Sequence, residues 1–317
     1  IEEFSLDKYT KIYVAGHNGL IGSSFIRGLN REGYKNIITA SRCELDLVLK
    51  GQVDDFFYNN RPEVVILAAG RVGGIVQNRN FPADFITDNL SMQVNVLSAA
   101  YKYGAKRVIF FGSSCMYPRD ASQPMSERLL CTGHVESTSF AYASAKYSGI
   151  QMCKAFNIQG KNAFFIPVIP NSVYGPNDNF NIDEGHVLSV LIRRFHDAVE
   201  ENKPCVTLWG TGGPVREFIF VDDLVKACML LLSASFSNEY YPINISSGVG
   251  ISIKGLANKV KEIVGYSGEI KWDSLMPDGA PKKILDNSKI RSLGWKAETD
   301  LNQGIVQTYQ WYIDSRE

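Results

Sequence analysis

Three regularly spaced glycines constrain the fold of this chain more than any other feature of its sequence. Gly16, Gly19 and Gly22 follow a β-branched and aromatic run at residues 11–15 and open a helical pattern at residues 20–32. Glycine in such a turn permits a tight reversal and lets the backbone approach a pyrophosphate at the N-terminus of the following helix. Because a strand precedes the turn and a helix follows it, the segment predicts a dinucleotide-binding turn rather than an ordinary glycine-rich loop.

Strand and helix patterns alternate through the first half of the chain. Apolar runs bounded by turn residues alternate with segments of helical periodicity, which predicts a parallel sheet with helices on both faces. The expected fold class is therefore α/β, with a Rossmann-type doubly wound parallel sheet. The later strands are predicted at residues 36–40, 63–69, 108–111 and 163–169, and the helices at 51–60, 89–103 and 142–159.

The alternation loosens beyond residue 174, where loops rich in Asn, Gly and Pro become frequent. Two later segments, residues 217–221 and 241–245, still have the pattern of strands from the sheet domain. We therefore expect a dinucleotide-binding domain over residues 1–174, with 217–246 interleaved into it, and a smaller substrate lobe over the remainder of 175–317.

Composition excludes several function classes. The 33 basic and 33 acidic residues cancel, so bulk attraction to nucleic acid or to a membrane surface is not expected. No run approaches the roughly 20 apolar residues of a membrane span, and residues 1–4 lack the pattern of a signal peptide, so we expect a cytoplasmic protein. Six scattered cysteines without a Cys-x-x-Cys pair, and four histidines without ligand spacing, argue against a metal site.

A tyrosine and a lysine four residues apart, Tyr142 and Lys146, indicate carbonyl chemistry. On a helix these positions share one face, so the lysine is expected to lower the pKa of the phenol from about 10 and make it a proton donor for carbonyl reduction. Ser113 follows the fourth predicted strand, at the edge where parallel sheets bind ligands. It is placed to hydrogen-bond a substrate carbonyl beside Tyr142.

The end of the second strand predicts the cofactor. An acidic residue there would bind the ribose hydroxyls of NAD, whereas this chain carries Arg42. A guanidinium matches the geometry of a 2′-phosphate, so the sequence favours NADP(H) over NAD(H). Arg42 as a solvated surface charge is the alternative. Asp46, four residues later, is placed to reach the adenine edge.

Two further residues have open roles at this point. Cys115 can serve as a thiolate base in an electropositive site, or as a small apolar side chain in a core. His186, at the start of a predicted helix, can be its acid partner or an ordinary helix-start residue.

A third set of residues suits a nucleotide diphosphate, with charge for phosphates and a ring face for base or sugar. The set is Arg194, Arg216, Lys283 and Trp209.

Taken together, the motifs resemble the GDP-L-fucose synthase family of extended short-chain dehydrogenases/reductases over almost the whole chain. The run from Gly112 to Cys115 and the segment with His186 are specific to that family within its superfamily. The motifs that carry the resemblance lie at residues 14–17, 72–76, 112–115, 142–146, 174–180, 191–196, 216–218 and 277–283.

The resemblance implies a two-stage reaction on a GDP-4-keto-6-deoxy-hexose. Cys115 would remove a proton beside the C4 ketone and His186 would return one from the other face. NADPH would then reduce C4 while Tyr142 donates a proton, supported by Lys146 and Ser113. Substrate contacts are implied for Ser114, Cys115, Arg194, Trp209, Arg216, Asp278 and Lys283. The expected cofactor contacts are Gly16, His17, Asn18, Gly19, Leu20, Ile21, Gly22, Arg42, Asp46, Ala69, Gly70, Gly112, Ser113, Tyr142, Lys146, Pro170, Val173 and His186.

Three departures from the family pattern leave alternatives open. Ser172 replaces an asparagine, Asn18 replaces a frequent basic residue, and Arg71 replaces a common lysine. The alternatives are a C4-reductase acting on a related substrate, such as a GDP-6-deoxy-4-keto-heptose, and a non-catalytic NADP-sensing protein. A nucleotide-sugar dehydratase would need acidic residues at 114–115. Relatives commonly pair through two long helices, which implies a homodimer through residues 89–103 and 142–159.

Overall fold

A computed structural model of the chain describes residues 4–160, 164–234, 242–276 and 278–316. Residues 1–3, part of the segment without a signal-peptide pattern, lie outside that range. So do residues 163 and 241, where two strands are predicted to begin, and Pro277, which opens one of the family motifs. The strands are β1 (Ile12–Ala15), β2 (Ile37–Ile38), β3 (Val64–Leu67), β4 (Arg107–Phe111), β5 (Phe164–Pro170), β6 (Ser172–Tyr174), β7 (Cys205–Trp209), β8 (Val215–Phe220), β9 (Ile243–Ile245), β10 (Gly250–Ser252), β11 (Glu269–Asp273) and β12 (Lys282–Lys283). The helices are α1 (Leu20–Arg31), α2 (Lys50–Asn60), α3 (Ile75–Asn80), α4 (Pro82–Lys102), α5 (Phe140–Gln159), α6 (Val187–Glu200), α7 (Val221–Ser233), α8 (Ile253–Val264), α9 (Ser288–Ser292) and α10 (Leu301–Asp314).

The predicted doubly wound sheet is confirmed. Six parallel strands lie in the order β2-β1-β3-β4-β5-β9. Every residue of β1, β3 and β4 is buried, because helices cover both faces and leave no solvent side on which polar residues would alternate. One apolar core includes Phe57 of α2, Leu97 of α4 and Ile150 of α5. The opposite core includes Phe25 of α1 and Leu231 of α7.

Helix α4 is longer than the sequence pattern predicted. It begins at Pro82 rather than near residue 89, with proline in the first helical turn. Proline suits that turn because its missing N–H would have no helical partner there. The added turns carry Phe85, whose ring makes an edge contact with Tyr142 at a centroid distance of 6.3 Å.

A second lobe is built around β8. Contrary to expectation, β8 does not join the first sheet but pairs with β6, β10 and β12. Its rings Phe218 and Phe220 pack against Tyr174 in a third core, which explains the difference. Of the two late strand predictions, only β9 extends the parallel sheet. The domain boundaries drawn from the sequence stay a prediction.

Helix α5 approaches the sheet closely because Gly149 lacks a side chain. A Cβ on Gly149 would lie 2.2 Å from Cζ of Phe110, a buried residue of β4. The glycine therefore sets the height of α5, and with it that of Tyr142 and Lys146, above the end of β4. Within the part of the chain that the structure describes, no helix is long and apolar enough to cross a membrane.

We predict that Gly149→Ala lowers the free energy of unfolding by about 1–3 kcal/mol, since the Phe110 ring is enclosed and cannot yield freely. Urea denaturation followed by circular dichroism measures the change. Gly51→Ala is the matched control, because that helical glycine has nothing within 4 Å of an added Cβ. It should stabilise the protein by up to about 1 kcal/mol. Equal denaturation midpoints for Gly149→Ala and the parent would contradict the packing argument.

Candidate active site

A single cleft collects most of the predicted site residues. It has a volume of about 1030 Å³ and lies where β1, β3, β4 and β5 end. Ligands of open parallel sheets bind at this carboxyl edge. Every predicted catalytic residue lines the cleft, and so does every predicted cofactor residue except Gly22.

The glycine turn forms the floor of one end of the cleft. Gly16 adopts a φ of 80°, and a Cβ there would lie 2.7 Å from the backbone nitrogen of Ala69. A Cβ on Gly22 would lie 2.1 Å from the carbonyl oxygen of Gly16. Gly22 therefore does not face the cleft but allows helix α1 to start directly behind the turn. This cradle, with a helix N-terminus facing it, fits the pyrophosphate of a dinucleotide.

Arg42 lines the same cleft and is open to solvent. Its side chain is 84% exposed and its Nε lies 3.8 Å from Oδ2 of Asp46. Both residues line the cleft. An exposed ion pair of this kind is worth little, so the guanidinium can be shared with a phosphate at small cost.

Tyr142 and Lys146 lie on helix α5 as predicted. The Lys146 amine is 5.8 Å from the centre of the Tyr142 ring and 5.2 Å from the centre of the Phe110 ring. A Cβ on Gly70 would be 3.5 Å from the amine nitrogen, which places Lys146 beside the end of β3. Helix α5 is held to α4 there by a 2.8 Å hydrogen bond from the Gln93 amide to the Ala145 carbonyl.

The predicted fall in the pKa of Tyr142 is wrong. Burial raises the pKa of the phenol well above its usual value, a negative Cys115 adds to the rise, and the Ser113 hydroxyl opposes it. Burial also lowers the pKa of Lys146 to about 8, so the amine loses its charge at a lower pH than an ordinary lysine does. Desolvation thus outweighs the attraction that the helical spacing suggested. Tyr142 is therefore a weaker acid than the spacing predicted, and it keeps its proton at neutral pH.

The loop after β4 supplies Ser113, Ser114 and Cys115. Ser113 caps a short 3₁₀ turn, its oxygen accepting a 3.2 Å hydrogen bond from the Cys115 backbone nitrogen. All three side chains are half-buried and line the cleft beside Tyr142. Cys115 is therefore not the fully buried core residue of the alternative interpretation. Arg216 lies within electrostatic reach of it and brings positive charge toward the thiol.

His186 is the residue before helix α6 and faces the cleft from the side of the second lobe. Its Nδ1 lies 4.0 Å from Oδ1 of Asp178. That carboxylate raises the pKa of His186, whereas partial removal from water lowers it. The carboxylate has the larger effect, so the pKa of His186 is above its usual value. Sequence analysis missed Asp178, because seven residues of irregular chain lie between it and His186 and no periodicity links the two.

Five predicted substrate residues do not line this cleft but lie in the second lobe. Arg194 donates a 3.2 Å hydrogen bond to the Thr207 carbonyl of β7, and the exposed Trp209 ends the same strand. Arg216 of β8 pairs in register with Lys283 of β12. The Asp278 carboxylate accepts hydrogen bonds of 3.0 and 2.6 Å from Thr211, which hold its pKa below the usual range.

Sequence reasoning also missed polar residues that complete the cleft. Asn177 donates a 2.5 Å hydrogen bond to the carbonyl of Asn18 and so ties the glycine turn to the segment before His186. Its φ of 71° lies in the left-handed region, which asparagine adopts more readily than most residues. An asparagine in a turn was therefore the one sequence signal for this position. Among the described residues, no group of three or more His, Cys, Asp or Glu could hold a metal ion.

Comparison with known proteins agrees with this geometry. The NAD dependent epimerase/dehydratase family matches residues 12–246. GDP-L-fucose synthase 1 of Arabidopsis thaliana is 47% identical over 308 residues, covering 97% of this chain and 94% of that protein. The GDP-L-fucose synthase of Escherichia coli strain K12 is 39% identical over 315 residues, covering 97% of this chain and 98% of that protein.

Two solved structures are similarly close. A GDP-mannoheptose C4 reductase from Campylobacter jejuni with NADP bound has a TM-score of 0.90 and 36% identity, covering 98% of this chain and 100% of that chain. A GDP-L-fucose synthetase from Naegleria fowleri bound to NADP has a TM-score of 0.90 and 28% identity, covering 99% of this chain and 97% of that chain.

The sheet, the glycine cradle and the Tyr142–Lys146 pair define a dinucleotide-dependent enzyme of the extended short-chain dehydrogenase/reductase class. With the similarities above, the chain belongs to the NAD dependent epimerase/dehydratase family and, within it, to the GDP-L-fucose synthase family.

Proposed function

We propose that this protein is an NADPH-dependent 3,5-epimerase and 4-reductase. Its substrate is a GDP-4-keto-6-deoxy-hexose, and its product is GDP-L-fucose or a close GDP-sugar. The observation that carries the proposal is the meeting of a reductase pair, Tyr142 and Lys146, with a base and acid pair, Cys115 and His186, in one cleft. The relatives named GDP-L-fucose synthase support the choice of substrate.

The cofactor end of the cleft fits NADPH. The glycine cradle would accommodate the pyrophosphate, Arg42 would take the 2′-phosphate, and Lys146 and Tyr142 would hold the nicotinamide ribose. Two NADP-bound structural neighbours support this assignment. NADPH, when bound, supplies the hydride that reduces C4.

Epimerisation uses the two residues whose roles the sequence left open. The C4 ketone acidifies the protons at C3 and C5. The Cys115 thiolate takes one of these protons, and Ser113 and Tyr142 hydrogen-bond the enolate oxygen that forms. The His186 imidazolium then returns a proton to the opposite face of the same carbon, and exchange with water restores both groups.

Reduction uses the same oxygen. As C4 accepts hydride, the C4 oxygen takes the proton of the Tyr142 phenol. The raised pKa of that phenol keeps the proton in place until negative charge develops beside it. Lys146 lies on the same helical face and supports the phenolate that remains.

The second lobe holds the nucleotide part of the substrate. Arg194, Arg216 and Lys283 supply positive charge for the diphosphate, and the exposed Trp209 supplies a ring face. Asp278, fixed by Thr211, is the polar contact of the same surface. We further propose that the enzyme acts in the cytoplasm as a homodimer that pairs through α4 and α5.

A second candidate is a C4-reductase that does not epimerise. Similarity to the GDP-mannoheptose C4 reductase from Campylobacter jejuni favours it, as does Ser172, a departure from the family pattern that lines the cleft. Incubating GDP-4-keto-hexoses and GDP-4-keto-heptoses with NADPH in deuterated water distinguishes the candidates, because NMR reports reduction and proton exchange together. Deuterium at C3 or C5 of the product is expected for the epimerase, whereas its absence supports the reductase.

We predict that Arg42→Ala weakens NADPH binding by about 10- to 100-fold, the value of a charge-assisted hydrogen bond to phosphate. NADH binding should change little, and isothermal titration calorimetry measures both. Lys50→Ala removes a comparable exposed cation, also paired with a carboxylate four residues on, that does not line the cleft. It should bind both cofactors like the parent. Equal affinity of the parent for NADPH and NADH would refute the assignment.

Tyr142→Phe should reduce hydride transfer by about 10²–10⁴-fold, because the variant lacks the proton donor. Stopped-flow loss of NADPH absorbance at saturating substrate measures it. Tyr147→Phe, five residues further along α5 and outside the cleft lining, controls for loss of a helix hydroxyl. Tyr142→Phe with most of the parental rate would mean that another group donates the proton.

Cys115→Ser should slow deuterium exchange at C3 and C5, because a serine hydroxyl is too weak an acid to replace a thiolate base. The loss should be about 10²–10⁴-fold, measured by NMR. Reduction should persist, since Tyr142, Lys146 and Ser113 are intact. Cys205→Ser, another half-buried cysteine, lies outside the cleft lining and should exchange normally. Normal exchange in Cys115→Ser would remove the thiol from the mechanism.

A further inference from the structure

Asp178 is a carboxylate placed between the cleft and helix α6. Its side chain is only 4% exposed, whereas that of His186 is 52% exposed into the cleft. Oδ1 of Asp178 lies 4.0 Å from Nδ1 of His186. Oδ2 accepts a hydrogen bond from the Ser189 hydroxyl, on the first turn of α6.

The Asp178 carboxylate contacts two neutral hydrogen-bond donors and one basic side chain. Oδ1 accepts a 2.8 Å hydrogen bond from the Asn179 backbone nitrogen, and this neutral donor and Ser189 orient the group without cancelling its charge. A buried carboxylate is costly unless it is hydrogen-bonded or paired with an opposite charge. In the described part of the chain, His186 is the only basic side chain within 4.0 Å of Asp178. The charge of Asp178 is therefore directed at the imidazole.

We infer that Asp178 is a positioning residue that orients His186 through Nδ1 and favours its imidazolium form, with Ser189 fixing the carboxylate. The inference rests on the proposed role of His186 as the acid of epimerisation. With Nδ1 facing Asp178, Nε2 is the nitrogen left to deliver a proton to the substrate. The 4.0 Å separation is ion-pair range, and a small rotation of the ring brings the atoms to hydrogen-bond distance.

The negative charge of Asp178 changes the pKa of His186 in one direction. Asp178 raises the pKa of His186, so the imidazolium persists to higher pH than an isolated histidine and is lost as pH rises through that value. An acid with this property loses activity on the alkaline side. Among the described residues, Asp178 is the one acidic side chain within 4.0 Å of the His186 ring. The other ionisable residues that line the cleft are Tyr13, His17, Arg42, Asp46, Arg71, Asp88, Cys115, Tyr142, Lys146 and Glu184.

The test measures His186 directly in the full-length protein. With ¹³C-labelled histidine, the four ring signals are followed by NMR against pH, and His186→Asn identifies the signal of His186. Asp178→Asn removes the charge and keeps an acceptor for Ser189. Its His186 pKa should be lower than in the parent. Asp183→Asn is the matched control, because that exposed carboxylate on the same segment has no ion pair with the ring, and it should leave the titration unchanged.

The same variants are assayed for epimer formation across the pH range. In Asp178→Asn, epimer formation should fall by about 10- to 100-fold at pH 8, the same order as the loss of a partner that orients a metal-bound imidazole. Its alkaline limb should move to lower pH. Ser189→Ala should shift the titration and the limb in the same direction, but less. It also serves as the test if Asp178→Asn does not fold, as judged by thermal unfolding.

An unchanged His186 pKa in Asp178→Asn overturns the inference, and so does an equal loss of epimer formation at every pH, which is what a structural role alone would give. Absence of C3 and C5 exchange in the parent refutes the proposed epimerase instead. In that case the titration of His186 still decides whether Asp178 controls its charge, so the two failures are distinguishable.

Discussion

The close contact between α5 and β4 is the constraint on which the site depends. Gly149 lets the helix lie directly against the Phe110 ring, and no larger residue fits without displacing one of them. Because the register of α5 is fixed there, Tyr142 and Lys146 face the end of β4, where the chain turns out of the sheet at Ser113. A parallel sheet ends several strands at one edge, and this contact brings a helix to that edge.

A buried carboxylate has a comparable role in joining the two lobes. Glu217 of β8 is fully buried and accepts hydrogen bonds from the Asn171 amide at 2.7 Å, the Leu285 nitrogen at 2.9 Å and the Gly248 nitrogen. Asn171 links β5 of the parallel sheet to β6 of the second lobe. Since neighbouring strand residues face opposite ways, burial of Glu217 turns Arg216 toward the surface it shares with Lys283.

Burial also decides the electrostatics of the cleft. Spacing alone suggested a tyrosine made acidic by a lysine, but desolvation acts on both groups and reverses the expected pKa of Tyr142. On the opposite side, His186 remains open to the cleft, and Asp178 raises its pKa. The cleft thus contains a phenol that keeps its proton at neutral pH and an imidazole that keeps its proton to higher pH than an isolated histidine. The proposed reduction and epimerisation need these two different acids.

The sequence by itself determined the parallel sheet, the glycine turn and the identity of the residues at the ends of β3 and β4, because strand periodicity and glycine spacing are local properties. It also indicated Cys115 and His186, through their resemblance to a family. Tertiary structure decided what depends on distant segments. It placed β8 in the second lobe because its aromatic rings pack with Tyr174, and it brought Asp178 beside His186 through irregular chain. It set the pKa of Tyr142 by burial, which depends on every atom packed around a group and on no spacing along the chain.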